Sequence, residues 1–348
     1  MNRSPARYPA RYLAPLALLT SFAAPSAHAD GEVKIFGTAD GGVRHLSHVN
    51  PAGDSKTIVG TNGWNSSNKL DFSGKEDLGG GLEAHFLLEQ GFNLATGALD
   101  NTTNTMFQRQ SFVGVKGSAG TLDLGRQYTI AHDFILDYDA FHFNYTPLIP
   151  LTQASSGTRF SNDVKYAGQF GRFKLELENS FGEVAGSIKN ASARGIGLQY
   201  YGDSLTTGGS YNRRSVLVGG TYRNEDYYLV GAIFKHGDWS VSGGYMIDTI
   251  DLEGTAPNTA TRNAFGGASY SFSEQIKLTA GFYRTTSTSD KARGKDMTIA
   301  GLDYFLSKRT KLYLELDHTK FKTAIVSTLN AAGASNQVGE TVGINHRF

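Results

Sequence analysis

In Arg172-Phe-Lys-Leu-Glu-Leu-Glu-Asn-Ser-Phe181, apolar and polar side chains alternate residue by residue. Phe173, Leu175, Leu177 and Phe181 share one face, interrupted by Asn179, while Arg172, Lys174, Glu176, Glu178 and Ser180 share the other. A period of two is that of an extended strand, whose side chains point to opposite faces in turn. The scheme recurs along the chain. Leu312, Leu314 and Leu316 alternate with Lys311, Tyr313, Glu315 and Asp317. Ile276, Leu278, Ala280 and Phe282 form one side of 275–283, and Leu82, Ala84, Phe86 and Leu88 oppose Glu83, His85, Leu87 and Glu89.

Soluble sandwiches alternate too, so the connections must discriminate. Short turns fall at 76–81, 117–120, 168–171, 202–205, 236–238, 273–275 and 307–310. Between them lie longer polar connections near 50–66, 93–105, 127–157, 183–193, 212–225, 251–262, 285–296 and 319–337. Seven short and eight long connections delimit 16 strands. Such regular alternation belongs to a membrane barrel, with tight periplasmic turns and long extracellular loops, and a Greek-key sandwich has no cause for it. Strands are predicted at 32–48, 67–75, 82–92, 106–116, 121–127, 158–167, 172–182, 194–201, 205–211, 226–235, 239–250, 263–272, 276–284, 297–306, 311–318 and 338–348. The fold class is therefore all-β, a 16-stranded antiparallel transmembrane β-barrel.

Composition agrees. Of 348 residues, 42 are Gly and only 8 Pro, with 17 Tyr and 21 Phe, the balance demanded by many paired strands and tight turns. Mean hydropathy is −0.30, compatible with a barrel because only alternate strand residues meet lipid. No segment after residue 29 approaches the length of a membrane helix. Without cysteine, disulfides, thiolate metal sites and cysteine nucleophiles are excluded, and export through an oxidising compartment meets no thiol.

Residues 1–29 read as a cleaved signal peptide: Arg3, Arg7 and Arg11, the apolar run Leu13–Ala24, then Ala27-His28-Ala29 as the small-x-small cleavage pattern. Its loss removes three arginines and no acid, taking the formal net charge from +1 to −2. A nearly neutral mature chain gives no case for nucleic acid. Residues 30–348 form one barrel domain. At the end, Val342, Ile344, His346 and Phe348 share a face, so the chain stops inside a strand with an aromatic at girdle level.

Several segments carry a family likeness: Val33-Lys-Ile-Phe-Gly37, Asp71-Phe-Ser-Gly-Lys-Glu-Asp-Leu-Gly-Gly-Gly81 running into Leu82-Glu-Ala-His-Phe-Leu-Leu-Glu-Gln-Gly-Phe92, Arg109-Gln-Ser-Phe-Val-Gly-Val-Lys-Gly117, Leu124-Gly-Arg-Gln-Tyr128 and the terminal Phe348. In this order they resemble a general outer-membrane porin of β-proteobacterial type, over essentially the whole mature chain. The resemblance implies a homotrimer in outer-membrane lipid, each barrel narrowed by an inward-folded third loop (about 127–157), passing small hydrophilic solutes and ions by passive diffusion. A porin selective for one nutrient class is the alternative. It also implies that Phe348 belongs to the signal read by the barrel assembly machinery. The Pro-Glu-Phe-Gly-like stretch of enteric relatives has no counterpart here.

Such porins set basic residues on the wall against acids on the third loop. Matching motifs strand by strand makes Lys69, Arg109 and Arg159 wall candidates, with Arg44 and Arg126 beside them. Parity puts Arg109 with Ser111 and Val113, and Arg159 with Ser161, Asp163 and Lys165. Ordinary solvated lumen charges are the bland reading of all five. Asp133, Asp137 and Asp139 are the loop acids, unless they turn to the wall or to backbone amides, as loop aspartates commonly do. Phe134, Tyr138, Phe141, Phe143 and Tyr145 fit either a solute track or, preferably, anchors pinning the loop. His132 and His142 have no recognised ligand spacing, so no metal is expected. Nothing marks a barrel hydrolase or a phosphate-binding loop, and neither enzymatic activity nor a cofactor is expected.

Overall fold

A computed structural model describes residues 31–50, 52–60, 63–145, 149–151, 157–252, 259–287, 294–322 and 335–348. The expected signal peptide lies outside the described residues, as do 146–148 and 152–156 of the third loop. The strands are β1 (Glu32–Leu46), β2 (Lys56–Val59), β3 (Lys69–Gly79), β4 (Leu82–Gly91), β5 (Gln110–Gly117) and β6 (Gly120–Tyr128). After helix α1 (Ile130–Tyr138) come β7 (Arg159–Phe170), β8 (Phe173–Ser180), β9 (Ala193–Tyr201), β10 (Leu205–Val218) and β11 (Thr221–His236). The remainder are β12 (Trp239–Ile250), β13 (Thr259–Ser271), β14 (Ile276–Ser287), β15 (Gly294–Phe305), β16 (Thr310–Phe321) and β17 (Asn336–Arg347).

All pairings are antiparallel neighbour to neighbour, and β17 returns to β1 from Thr38↔Arg347 to Leu46↔Gly339. Sixteen long strands therefore close a cylinder, and β2 is a short addition within the first loop, paired to β1 at Val43↔Val59. Closure leaves no open edge, the condition for burying a sheet in lipid. Parity is as the alternation demands: on β16, Leu312, Leu314 and Leu316 are exposed while Tyr313, Glu315 and Asp317 are buried. A soluble protein would do the opposite. Here the apolar row meets lipid and the polar row faces inward.

One connection departs from expectation. Residues 212–225 are no loop: β10 and β11 stay paired to Val218↔Thr221, turning through Gly219 (φ 57°) and Gly220 (φ 83°). Two consecutive positive φ values make the tight turn that matches strand twist, and glycine adopts them without strain. Above the lipid band the outward side chains become Arg213 and Ser215, which hid the strand period.

Candidate functional site

The third connection begins at Thr129, whose hydroxyl accepts from the His132 amide at 3.2 Å and caps α1. The Ile130 amide donates to Glu178 of β8 at 3.2 Å, placing a carboxylate at the helix N-terminus. Ile130, Phe134, Ile135 and Tyr138 are fully buried. They press on inward positions kept clear of side chains. A Cβ at Gly197 would strike Phe134, one at Gly231 would strike Tyr138, and one at Gly301 would crowd Phe141 and Tyr145. Glycines on β9, β11 and β15 thus form a trough that receives the helix and the aromatic residues following it, on the face opposite the exposed apolar belt. The aromatic residues are anchors, Phe143 alone of the five also lining the cleft described below.

Each loop acid turns to the wall. Asp133 pairs with Lys165 of β7. Asp137 accepts from Gln199 at 2.7 Å and Tyr201 at 3.3 Å. Asp139 accepts from Tyr283 and from the Phe143 amide at 2.9 Å. Burial pushes the Asp133 carboxyl up, but the Lys165 ammonium beside it prevails and holds it below the usual carboxylate range. Burial raises Asp139 above its ordinary value, with the Tyr283 and Phe143 hydrogen bonds opposing it. None of the three faces the wall cations across open water, the arrangement expected from the resemblance.

A second loop also packs against the inner wall. Asp40 of β1 accepts from the amides of Trp64 (2.7 Å) and Asn65 (3.2 Å), from Tyr313 Oη (2.9 Å) and from Asn345 Nδ2 (2.9 Å). These bonds hold the end of the first loop against the inner wall. Asn65 O then accepts from the Tyr145 amide at 2.8 Å, tying the first loop to the third. Beneath Trp64, Arg44 is 1% exposed and bonds Glu315 at 2.8 Å and Asp317 at 2.5 Å. Arg44 is therefore no pore-wall cation: the first loop covers it.

Between the two loops and β1–β7 opens a cleft of about 700 Å³ lined by Lys69, Asp71, Arg109, Tyr128, Arg159 and Arg347 among others. Lys69 meets Glu89 at 2.7 Å and Asp71 at 3.2 Å. Arg109 Nε meets Glu89 at 2.6 Å, and its Nη2 donates to Tyr128 Oη at 2.9 Å. Arg159 donates to the same phenol at 2.7 Å and lies 4.3 Å over its ring, while His132 stacks on that ring at 3.9 Å. Among the described residues Arg159 has no carboxylate in ion-pair contact. The carboxylates are recessed: the side chains of Asp71, Glu89 and Asp100 are 0%, 2% and 3% exposed, against 29% for Lys69.

Lys69 and Arg159 line this cleft. Arg109 does so for a different reason: Ser111 and Val113 face outward, and Arg109 turns inward because it sits on a bend before β5 starts. Arg126 belongs elsewhere. It continues the outward parity of Leu122 and Leu124, pairs opposite Ser111, and bonds Gln108 O and Ser161 Oγ. Arg347 was missed, though the outward parity of Val342, Ile344 and His346 places it inside. Tyr128 and Glu89 were missed as well; no spacing announces a phenol shared by two guanidiniums. Among the described residues no group of three His, Asp or Glu side chains could hold a metal ion.

The sequence model of Gram-negative porins matches residues 15–324. Outer membrane porin protein 32 of Delftia acidovorans is 29% identical across 96% of this chain and 99% of its own length. Major outer membrane protein P.IB of Neisseria meningitidis serogroup B is 25% identical across 96% and 99%. Among solved structures, the anion-selective porin from Comamonas acidovorans superposes with a TM-score of 0.82 at 26% identity, covering 92% of this chain and all of that one.

Proposed function

The chain belongs to the Gram-negative porin family, and on that premise we propose that its channel prefers anions. It is an outer-membrane pore through which small hydrophilic solutes and ions diffuse down their gradients. The preference rests on one observation: at the cleft, cations line the water and carboxylates are recessed behind them. A pore selects by the charges its narrowest section presents, and a low-dielectric wall focuses their field. Arg159, held by a phenol rather than a carboxylate, keeps its full charge for the lumen. The solved relative described as anion-selective supports the reading. The loop between β6 and β7 serves as the constriction, with the end of the first loop as its second jaw. The barrels act as a homotrimer, and Phe348 is read during assembly.

The test is the zero-current potential across a planar bilayer under a KCl gradient. The native protein gives the sign of chloride preference, and Arg159→Gln moves the potential toward potassium. A cation-preferring native channel would overturn the proposal.

A further inference from the structure

From the third loop the cleft receives His132, Leu136, His142, Phe143 and Asn144, and among the described residues no acid. These side chains are contiguous. The rings of His132 and Phe143 meet edge to face at 5.0 Å. Leu136 stands one helical turn beyond His132 on the same side of α1, and His142 Nδ1 lies 2.9 Å from Leu136 O. Together they form a mainly apolar strip, and with Leu136 half-buried and His142 exposed it is open to water. The strip ends at charge. His132 stacks on the Tyr128 ring at 3.9 Å and the Arg159 guanidinium lies 4.3 Å from the same ring. Two planar groups so close to one ring occupy its opposite faces. Arg159 and the apolar strip are therefore one phenol ring apart, and Lys69 lines the same cleft.

We propose that this cleft preferentially holds monocarboxylates with an apolar body, such as a benzene ring. The carboxylate meets Arg159 and Lys69, and the ring lies against Leu136 and Phe143. A small inorganic anion uses the cationic end alone. An uncharged apolar solute uses only the strip. The ammonium of a zwitterion finds no exposed carboxylate, because the side chains of Asp71, Glu89 and Asp100 are 0%, 2% and 3% exposed. A carboxylate with an apolar body uses both ends at once: its charge stays beside cations while its ring sheds water. Turning the three loop aspartates to the wall is what leaves the strip free of like charge, since an acid on it would repel such a solute.

The inference rests on the anion preference proposed above, and the experiment separates the two. The purified full barrel is placed in planar bilayers at neutral pH, and conductance is followed against the concentration of sodium benzoate or sodium acetate. Benzoate should half-saturate the channel at about one-fifth the concentration of acetate, the factor given by burying roughly 40 Å² of ring surface. Leu136→Asn should bring the two values together, whereas Arg159→Gln should weaken both and keep their ratio. Benzyl alcohol, which has the ring without the charge, should leave the chloride current unaltered. A native channel that prefers chloride yet treats benzoate and acetate alike would refute this inference alone. One that prefers potassium would remove the anion preference and this inference with it. An unchanged ratio in Leu136→Asn, or chloride current reduced equally by benzyl alcohol and benzoate, would also refute it.

Discussion

At the scale of single residues, two arginines on inward-facing positions sit in opposite surroundings. Arg44 is sealed under Trp64 between Glu315 and Asp317. Arg44→Met would leave two adjacent buried carboxylates without their cation, a loss of about 3–5 kcal/mol in stability. Heat-modified mobility should therefore appear at lower temperature, with ion preference unchanged. Arg159→Gln should do the reverse, altering the zero-current potential and leaving thermal stability nearly intact. His132 adds a pH dependence. Burial holds its pKa below the ordinary 6.5, against the raising pull of Asp133 and with Arg159 and Lys165 lowering it further. A depressed basic group resists protonation in the packed loop and accepts it once freed, so the stabilisation is present above pH 6.5 and fades as pH falls below it. Current noise from loop motion should rise on acidification, and His132→Gln should flatten that rise. Neither arginine's setting was legible from parity, which reports which face a residue occupies but not whether a loop covers it. Arg44 and Arg159 read alike as inward cations; only the placement of Trp64 and Tyr128 tells them apart.

At the scale of elements, the strand period was readable wherever one face met lipid, because a hydrocarbon solvent enforces apolar side chains at every second position. It failed at 212–225, where the β10–β11 hairpin leaves the hydrocarbon and Arg213 can face outward. The third loop's length and aromatic content pointed to a packed element, but the extent of its helix was not legible, and nothing in Asp133, Asp137 or Asp139 said which partner each would find. Their partners, Lys165, Gln199 and Tyr283, lie on distant strands. The glycine trough is the element's counterpart. A bulkier residue at position 231 would occupy the space of the Tyr138 ring. Gly231→Val should lift α1 toward the lumen, cost about 1–3 kcal/mol through overpacking, and lower single-channel conductance. Asp40→Asn should act on the other jaw. It weakens the charge-assisted bonds to Trp64, Asn65 and Tyr313, so open-channel noise should increase while the barrel's circular dichroism stays the same.

At the scale of the whole molecule, the barrel closes at a seam between its first and last strands. The first strand pairs with β3 through residues 32–38 and with β17 through 38–46, and Phe348 exchanges 3.2 Å backbone hydrogen bonds with Gly37. Asp40 and Asn345, 305 positions apart, are joined there by a side-chain bond. Contacts so remote in sequence make loop closure entropically late. Synthesis must finish before the cylinder can, and every unfinished chain carries two raw β-edges able to pair with a neighbour. Refolding from urea into detergent micelles should accordingly show strand signal first and protease resistance afterwards. A chain lacking the last strand should reach the first stage, never the second, and clump in proportion to its concentration.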